Sequence, residues 1–240
     1  MIDYGLLLSV LLAFAVPAFV VRWWPLTTYD EPVSFLDVAI WPAALGVLVG
    51  RLVTLAIDDP SSMFRLSDFI VVRSGVEFWA GVAAAASSIG WTARRAGVAP
   101  SVRLADLAPH AMLGYAAYEA ACIFRDGCFG PASAIGLRPP GVSSTMVPVG
   151  LVMAAALAGL AVILRLLCER GRSPITVVLL AVLGVSSVRA LASFWLPHVG
   201  EGRTRQHNTS IVIVAISAVM LATAVARSWR DARRVSMSDA

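Results

Sequence analysis

Charged side chains are scarce in this sequence, and lysine is missing altogether. Only 14% of the 240 residues are charged whereas 58% are hydrophobic, and all 19 basic residues are arginine. A soluble domain must cover its surface with polar groups, so this composition excludes an ordinary soluble protein. The sequence therefore predicts an integral membrane protein.

Cysteines and recognisable catalytic motifs are also few. The three cysteines, Cys122, Cys128 and Cys168, form neither a disulfide framework nor a zinc pattern. The sequence has no Ser-His-Asp signature, phosphate-cradling glycine loop or metal-ligand cluster, so we expect no cofactor and no metal. A disulfide between Cys122 and Cys128 is geometrically possible, although free buried thiols are the commoner case.

Seven windows of the sequence are apolar enough to cross a membrane, whose hydrocarbon core needs about 20 such residues. They cover residues 4–21, 35–57, 75–93, 104–124, 147–167, 176–196 and 210–226. We predict an all-α bundle of seven transmembrane helices in a single domain of residues 1–240, with a short cytoplasmic tail at 227–240. Residues 58–74 predict an amphipathic arm on the outer face, and residues 127–144 predict an outer loop that caps the bundle.

The arginines between the apolar windows indicate the orientation of the chain. Most of them follow odd-numbered windows or lie in the tail, as in Arg94, Arg95 and Arg103. Cytoplasmic loops carry such an excess, which predicts an N-terminus outside and a C-terminus in the cytoplasm. The same rule explains the net charge of +4, so we expect no nucleic-acid partner.

Ionisable side chains inside the fourth window mark the candidate site. Asp106, His110 and Glu119 lie there, and a charge in hydrocarbon costs at least about 2.5 kcal/mol unless it meets a cavity or a partner. Glu119 is the candidate general base, and His110 beside the kinking Pro109 is the second. A hydrogen-bonded interior histidine explains His110 equally well.

Two arginines also lie within apolar windows, Arg51 in the second and Arg189 in the sixth. Arg51 is near a helix end, where its side chain can snorkel to the surface. Arg189 is deeper, which favours a partner or an anionic headgroup. Glu119 is the counter-charge available to either arginine, and a purely structural ion pair is the alternative that this pattern leaves open.

Several different short motifs follow one another along most of the chain. They are the glycine-rich residues 46–52 ending in Arg51-Leu52, residues 71–81, residues 106–130, Val147-Pro148 and Val188-Arg189. In that order they resemble the prolipoprotein diacylglyceryl transferase family of bacterial membrane enzymes. Residues 106–130 resemble its signature helix, in the form that ends in a cysteine-containing glycine segment.

The resemblance implies an enzyme of the bacterial cytoplasmic membrane. Such an enzyme transfers a diacylglyceryl group from phosphatidylglycerol to the cysteine thiol of a lipoprotein precursor at the outer leaflet. Arg73, Arg125 and Arg189 are then expected to bind the phosphate or headgroup. Arg51, Trp79 and Asp126 complete the expected set of substrate-binding residues.

The chain departs from the family pattern at several expected catalytic positions. Trp79 stands where the family has a histidine, Glu119 where its signature helix has an arginine, and Leu196 near its later arginine. These differences favour an alternative, a family member without transferase chemistry that binds a lipid or a partner membrane protein. A third hypothesis is a different lipid-modifying enzyme with Glu119 and Asp126 in new roles.

Overall fold

The computed structural model describes most of the chain, and nearly all of that part is helical. The described residues are 4–29, 33–58, 60, 76–124, 128–139, 141–195 and 205–238, with side chains described up to residue 227. They form two compact units, Pro25–Leu104 and the combination of Met1–Trp24 with Ala105–Ala240. Each unit is described separately below.

Seven α-helices occur within the described ranges. They are α1 (Tyr4–Val20), α2 (Phe35–Asp58), α3 (Phe78–Arg95), α4 (Pro100–Ala120), α5 (Val149–Glu169), α6 (Pro174–Ala192) and α7 (Arg205–Ser238). A 3₁₀ turn, Ala121–Phe124, continues α4, and one strand, β1, covers Ala132–Leu137. Each of the seven predicted windows therefore falls on a helix, while the capping segment contains a strand that the all-α prediction lacked.

Four of these helices are long and apolar enough to cross a membrane: α2, α5, α6 and the Arg205–Arg227 part of α7. Large apolar side chains stay exposed on them, including Trp41 at 74% and Val219 at 64%. Hydrocarbon is the solvent that makes such exposure favourable, because it removes the cost of apolar surface in water. The chain is therefore a multi-pass membrane protein.

The predicted amphipathic arm at residues 58–74 lies outside the described residues, apart from Asp58 and Pro60. The predicted capping loop is described in part. Its strand β1 pairs with Met146 by two antiparallel bridges, and the Ser133 N–H donates to the Thr145 carbonyl at 2.9 Å. A folded segment thus precedes α5.

In the unit Pro25–Leu104, helices α2 and α3 cross at a pair of glycines. A Cβ atom built on Gly81 would lie 2.8 Å from the Gly46 carbonyl oxygen, and one built on Gly46 would lie 2.9 Å from the Gly81 carbonyl oxygen. Contact that close needs small residues on both helices, as is common in membrane bundles. The small-residue content of the third window therefore has a packing role.

In the other unit, α4, α5 and α6 share a small apolar core. Leu164 and Val177 are fully buried in it, and Ala105 and Ala181 close its sides. A second cluster, formed by Val149, Met153 and Ala192, packs against Tyr115. Tyr115 is one of the residues of the candidate site described below, so this second cluster adjoins that site.

Candidate functional site

A half-buried arginine joins three helices of the larger unit. Arg189 of α6 donates through Nη1 to the Tyr115 hydroxyl of α4, and through Nη2 to Oε1 of Gln206 of α7 at 3.0 Å. A guanidinium among apolar helices is tolerable only when its N–H groups have acceptors. Directed bonds of this kind also fix the orientation of the planar guanidinium.

Glu119 lies one helical turn after Tyr115, and the two share a face of α4. The phenol interacts with the carboxylate of Glu119 as well as with Arg189. A phenol has one proton to donate and an oxygen that accepts, so it can bridge the cation and the anion. Glu119 and Arg189 are thus linked through Tyr115.

A serine and a histidine lie next to this network, where α6 ends and α7 begins. The Ser193 hydroxyl, just after α6, is hydrogen bonded to Nδ1 of His207, the residue that follows Gln206. The same hydroxyl donates to the Ala190 carbonyl at 2.7 Å. His207 is only 2% exposed, and its ring centroid lies 4.7 Å from that of Phe194 in an edge-to-face contact. We refer to Tyr115, Glu119, Arg189, Ser193, Gln206 and His207 as the α4–α6–α7 cluster.

A disulfide closes a short loop just beyond Glu119. Cys122 in the 3₁₀ turn is bonded to Cys128, which decides the alternative left open by the sequence. Gly150 at the start of α5 packs against this turn, where a Cβ would lie 2.8 Å from Cβ of Cys122 and 2.9 Å from the Glu119 carbonyl oxygen. The disulfide and the glycine contact both hold the end of α4 that carries Glu119.

The remaining predicted residues occupy other positions. His110 is fully buried, and its Nε2 is hydrogen bonded to the Trp24 carbonyl at 2.9 Å, so it holds the chain that leaves α1. Arg51 is 4% exposed in the unit Pro25–Leu104, where Trp79 is half-buried with its ring against Phe78. Three further predicted residues, Arg73, Arg125 and Asp126, lie outside the described residues.

Sequence reasoning missed Ser193, Gln206 and His207 as site residues. The last apolar window was drawn from residue 210, whereas α7 begins at Arg205. Polar residues at the start of a membrane helix lower its local hydropathy, so an apolar window excludes them. The available signal is helical spacing, since Gln206 lies one turn before Ser210, the first residue of the window.

Comparison with known proteins agrees with the motifs. The family described as Prolipoprotein diacylglyceryl transferase matches residues 2–225, nearly the whole chain. No curated protein matches the chain significantly. The family match covers α1 to α6 and most of α7, including every residue of the α4–α6–α7 cluster. This multi-pass membrane protein belongs to the prolipoprotein diacylglyceryl transferase family.

Proposed function

We propose that the chain transfers a diacylglyceryl group from phosphatidylglycerol to the cysteine thiol in the lipobox of a lipoprotein precursor. The lipobox is the short segment around the cysteine that becomes modified. A carbon–sulfur bond forms at the glycerol carbon that carried the phosphate, the carbon–oxygen bond to the phosphate breaks, and glycerol phosphate leaves. Family membership supports this reaction class.

The observation that carries the site assignment is the half-buried Arg189 held by Tyr115 and Gln206. Negative charge grows on the phosphate as glycerol phosphate leaves, and a pre-oriented guanidinium stabilises that charge without rearranging. We assign Arg189 to the phosphate. Arg51, Arg73, Trp79, Arg125 and Asp126 stay proposed substrate-binding residues, each to be tested by single substitution.

The acceptor thiol must also lose its proton, because the thiolate is the nucleophile. Two side chains of the α4–α6–α7 cluster can accept that proton, Glu119 and His207. Glu119 is the base that the sequence favours, and its bridge to Arg189 through Tyr115 supports a place beside the phosphate. His110 is the weaker candidate, since it is not part of the α4–α6–α7 cluster and instead bonds the Trp24 carbonyl.

The proposed reaction needs a defined topology. We propose one transmembrane domain in which all seven helices cross the bacterial cytoplasmic membrane, with the N-terminus outside and the C-terminus in the cytoplasm. The four apolar helices and the arginine-rich junctions support this arrangement. It places the ends of α4 and α6 and the start of α7 at the outer leaflet.

A second candidate function is lipid or partner binding without transfer. The acidic side chain of Glu119 favours it, because the family's signature helix carries an arginine there and a carboxylate repels phosphate. This candidate predicts that the purified chain binds phosphatidylglycerol vesicles and modifies no peptide.

Complementation separates the two candidates. A bacterial strain depleted of its own diacylglyceryl transferase receives this chain, the Arg189→Ala variant or an Arg165→Ala control at matched membrane levels. Arg165 pairs with Glu169 in the last turns of α5. We expect rescue by the wild type and by the control, and none by Arg189→Ala. Failure of the wild type would remove the transferase proposal.

A further inference from the structure

We propose that His207, held in place by Ser193, accepts the proton of the acceptor thiol. The inference rests on the proposed function and specifies which residue of the same site acts as the base. It moves that role from α4, where the sequence suggested Glu119, to the start of α7.

The hydrogen bonds of Ser193 determine which nitrogen of the imidazole can act. Its hydroxyl proton is directed to the Ala190 carbonyl at 2.7 Å, so its oxygen accepts from Nδ1–H of His207. In a neutral imidazole with the proton on Nδ1, the lone pair lies on Nε2. Ser193 therefore orients the ring and selects the tautomer whose Nε2 accepts a proton.

Burial keeps this orientation fixed. His207 is 2% exposed, and the Phe194 ring meets its ring edge-to-face at 4.7 Å between centroids. A histidine that only caps a helix in solvent would need neither contact. A base is effective when its geometry is set before the substrate arrives.

The neighbourhood of His207 supplies the other half of the reaction. Gln206, the preceding residue, accepts a hydrogen bond from Arg189, and the Ser193 N–H donates to the Arg189 carbonyl at 3.0 Å. Arg189, which we assign to the phosphate, and His207, which we assign to the proton, thus both lie where α6 contacts α7.

Glu119 is less suited to the task. Its carboxylate is engaged through Tyr115 with Arg189, so it already serves to hold the guanidinium in place. Carboxylates are also weaker bases than imidazoles, whereas proton transfer from a thiol favours a stronger base. We therefore assign Glu119 to fixing Tyr115 and Arg189.

The step is balanced in atoms and charge. Nε2 of His207 takes the thiol proton, the sulfur forms its bond to the glycerol carbon, and the electron pair of the broken carbon–oxygen bond goes to the phosphate held by Arg189. The imidazolium then returns its proton to the departing glycerol phosphate or to water. No oxidant or other reactant is required.

The test compares two acceptor peptides with the purified protein and phosphatidylglycerol micelles. One lipobox peptide carries cysteine, and the other carries selenocysteine, whose selenol is already ionised near neutral pH and needs no base. For His207→Gln we expect the cysteine-peptide rate to fall by about 100-fold or more, the usual contribution of a general base. The selenocysteine-peptide rate should fall by less than about tenfold, which a merely structural role would not produce.

Further variants keep the test decisive if His207→Gln folds poorly. Ser193→Ala should slow only the cysteine peptide, by about tenfold, and Ser193→Thr should restore the rate because it keeps the hydroxyl. The exposed neighbour Asn208, changed to alanine, is the matched control and should transfer at the wild-type rate. Thermal melting of each solubilised variant monitors folding.

Three results would overturn the assignment. Equal losses of His207→Gln with both peptides would show that His207 is structural, and an unchanged rate with the cysteine peptide would remove it from the reaction. A loss confined to the cysteine peptide in Glu119→Gln would give the role to Glu119. A wild type inactive with both peptides would instead refute the transferase function itself, and the assignment with it.

Discussion

At the scale of single residues, the proposed function depends on Arg189. A guanidinium that donates to the Tyr115 phenol and the Gln206 amide is held in a fixed orientation. Holding a charge even partly out of water costs free energy before pairing, so its retention in an apolar helix needs a compensating benefit. Phosphate binding is the benefit that we propose.

Removal of the Tyr115 hydroxyl tests this network at a single atom. Tyr115→Phe removes the bridge between Arg189 and Glu119 and leaves a buried donor without its acceptor, at a cost of about 1–3 kcal/mol. We expect a lower melting temperature and a loss of transferase rate of about tenfold or more, consistent with a misaligned guanidinium. Tyr118→Phe, on the neighbouring tyrosine, is the control, and an identical loss in both variants would contradict the role of the bridge.

The sequence points to some residues of the candidate site and not to others, for a physical reason. The cost of charge in hydrocarbon singles out Arg189 and Glu119, whose roles stay a prediction. Neutral polar residues such as Gln206 and Ser193 carry no such cost, so they stand out far less. His110, which does stand out in an apolar helix, is bonded to the Trp24 carbonyl.

At the scale of helices, glycines determine how closely two elements approach. Gly46 and Gly81 bring the backbones of α2 and α3 into contact, and Gly150 does the same between α5 and the turn after α4. Composition alone cannot give these partners, because contact between distant segments depends on the three-dimensional arrangement.

Gly81→Ala tests the α2–α3 crossing. The added Cβ would lie 2.8 Å from the Gly46 carbonyl oxygen, which is backbone and cannot rotate away. Overpacking of this kind costs about 1–3 kcal/mol, so we expect a clear drop in the melting temperature of the solubilised protein. Gly159→Ala in α5 meets open space and should melt at or above the wild-type temperature. Equal melting of Gly81→Ala and wild type would contradict the crossing.

Helix positions were predicted better than helix ends. Apolar runs long enough to span a bilayer identify helices reliably, because the bilayer imposes a minimum length. The predicted start of the last helix was wrong by five residues, because the first turn of α7 is polar and contributes to the cluster. The Cys122–Cys128 pairing was undecided because sequence spacing permits a bond without requiring it.

At the scale of the whole molecule, the proposal requires a definite orientation in the membrane. In a background in which the free Cys168 is replaced by serine, a single cysteine is introduced in place of Ser144 or of Arg172, both exposed. An impermeant thiol reagent should label intact cells at position 144 only, and position 172 only after permeabilisation. The opposite pattern would place the cluster at the cytoplasmic leaflet and contradict the topology.

The most direct measurement is product formation by the purified chain. Phosphatidylglycerol micelles and a lipobox peptide are incubated with the wild type or Arg189→Ala, and mass spectrometry follows the peptide. The account predicts a thioether-linked diacylglyceryl peptide with the wild type, and at least about a 100-fold slower reaction with Arg189→Ala. No product from a folded wild type that still binds the lipid, or an equal rate from the folded variant, would contradict it.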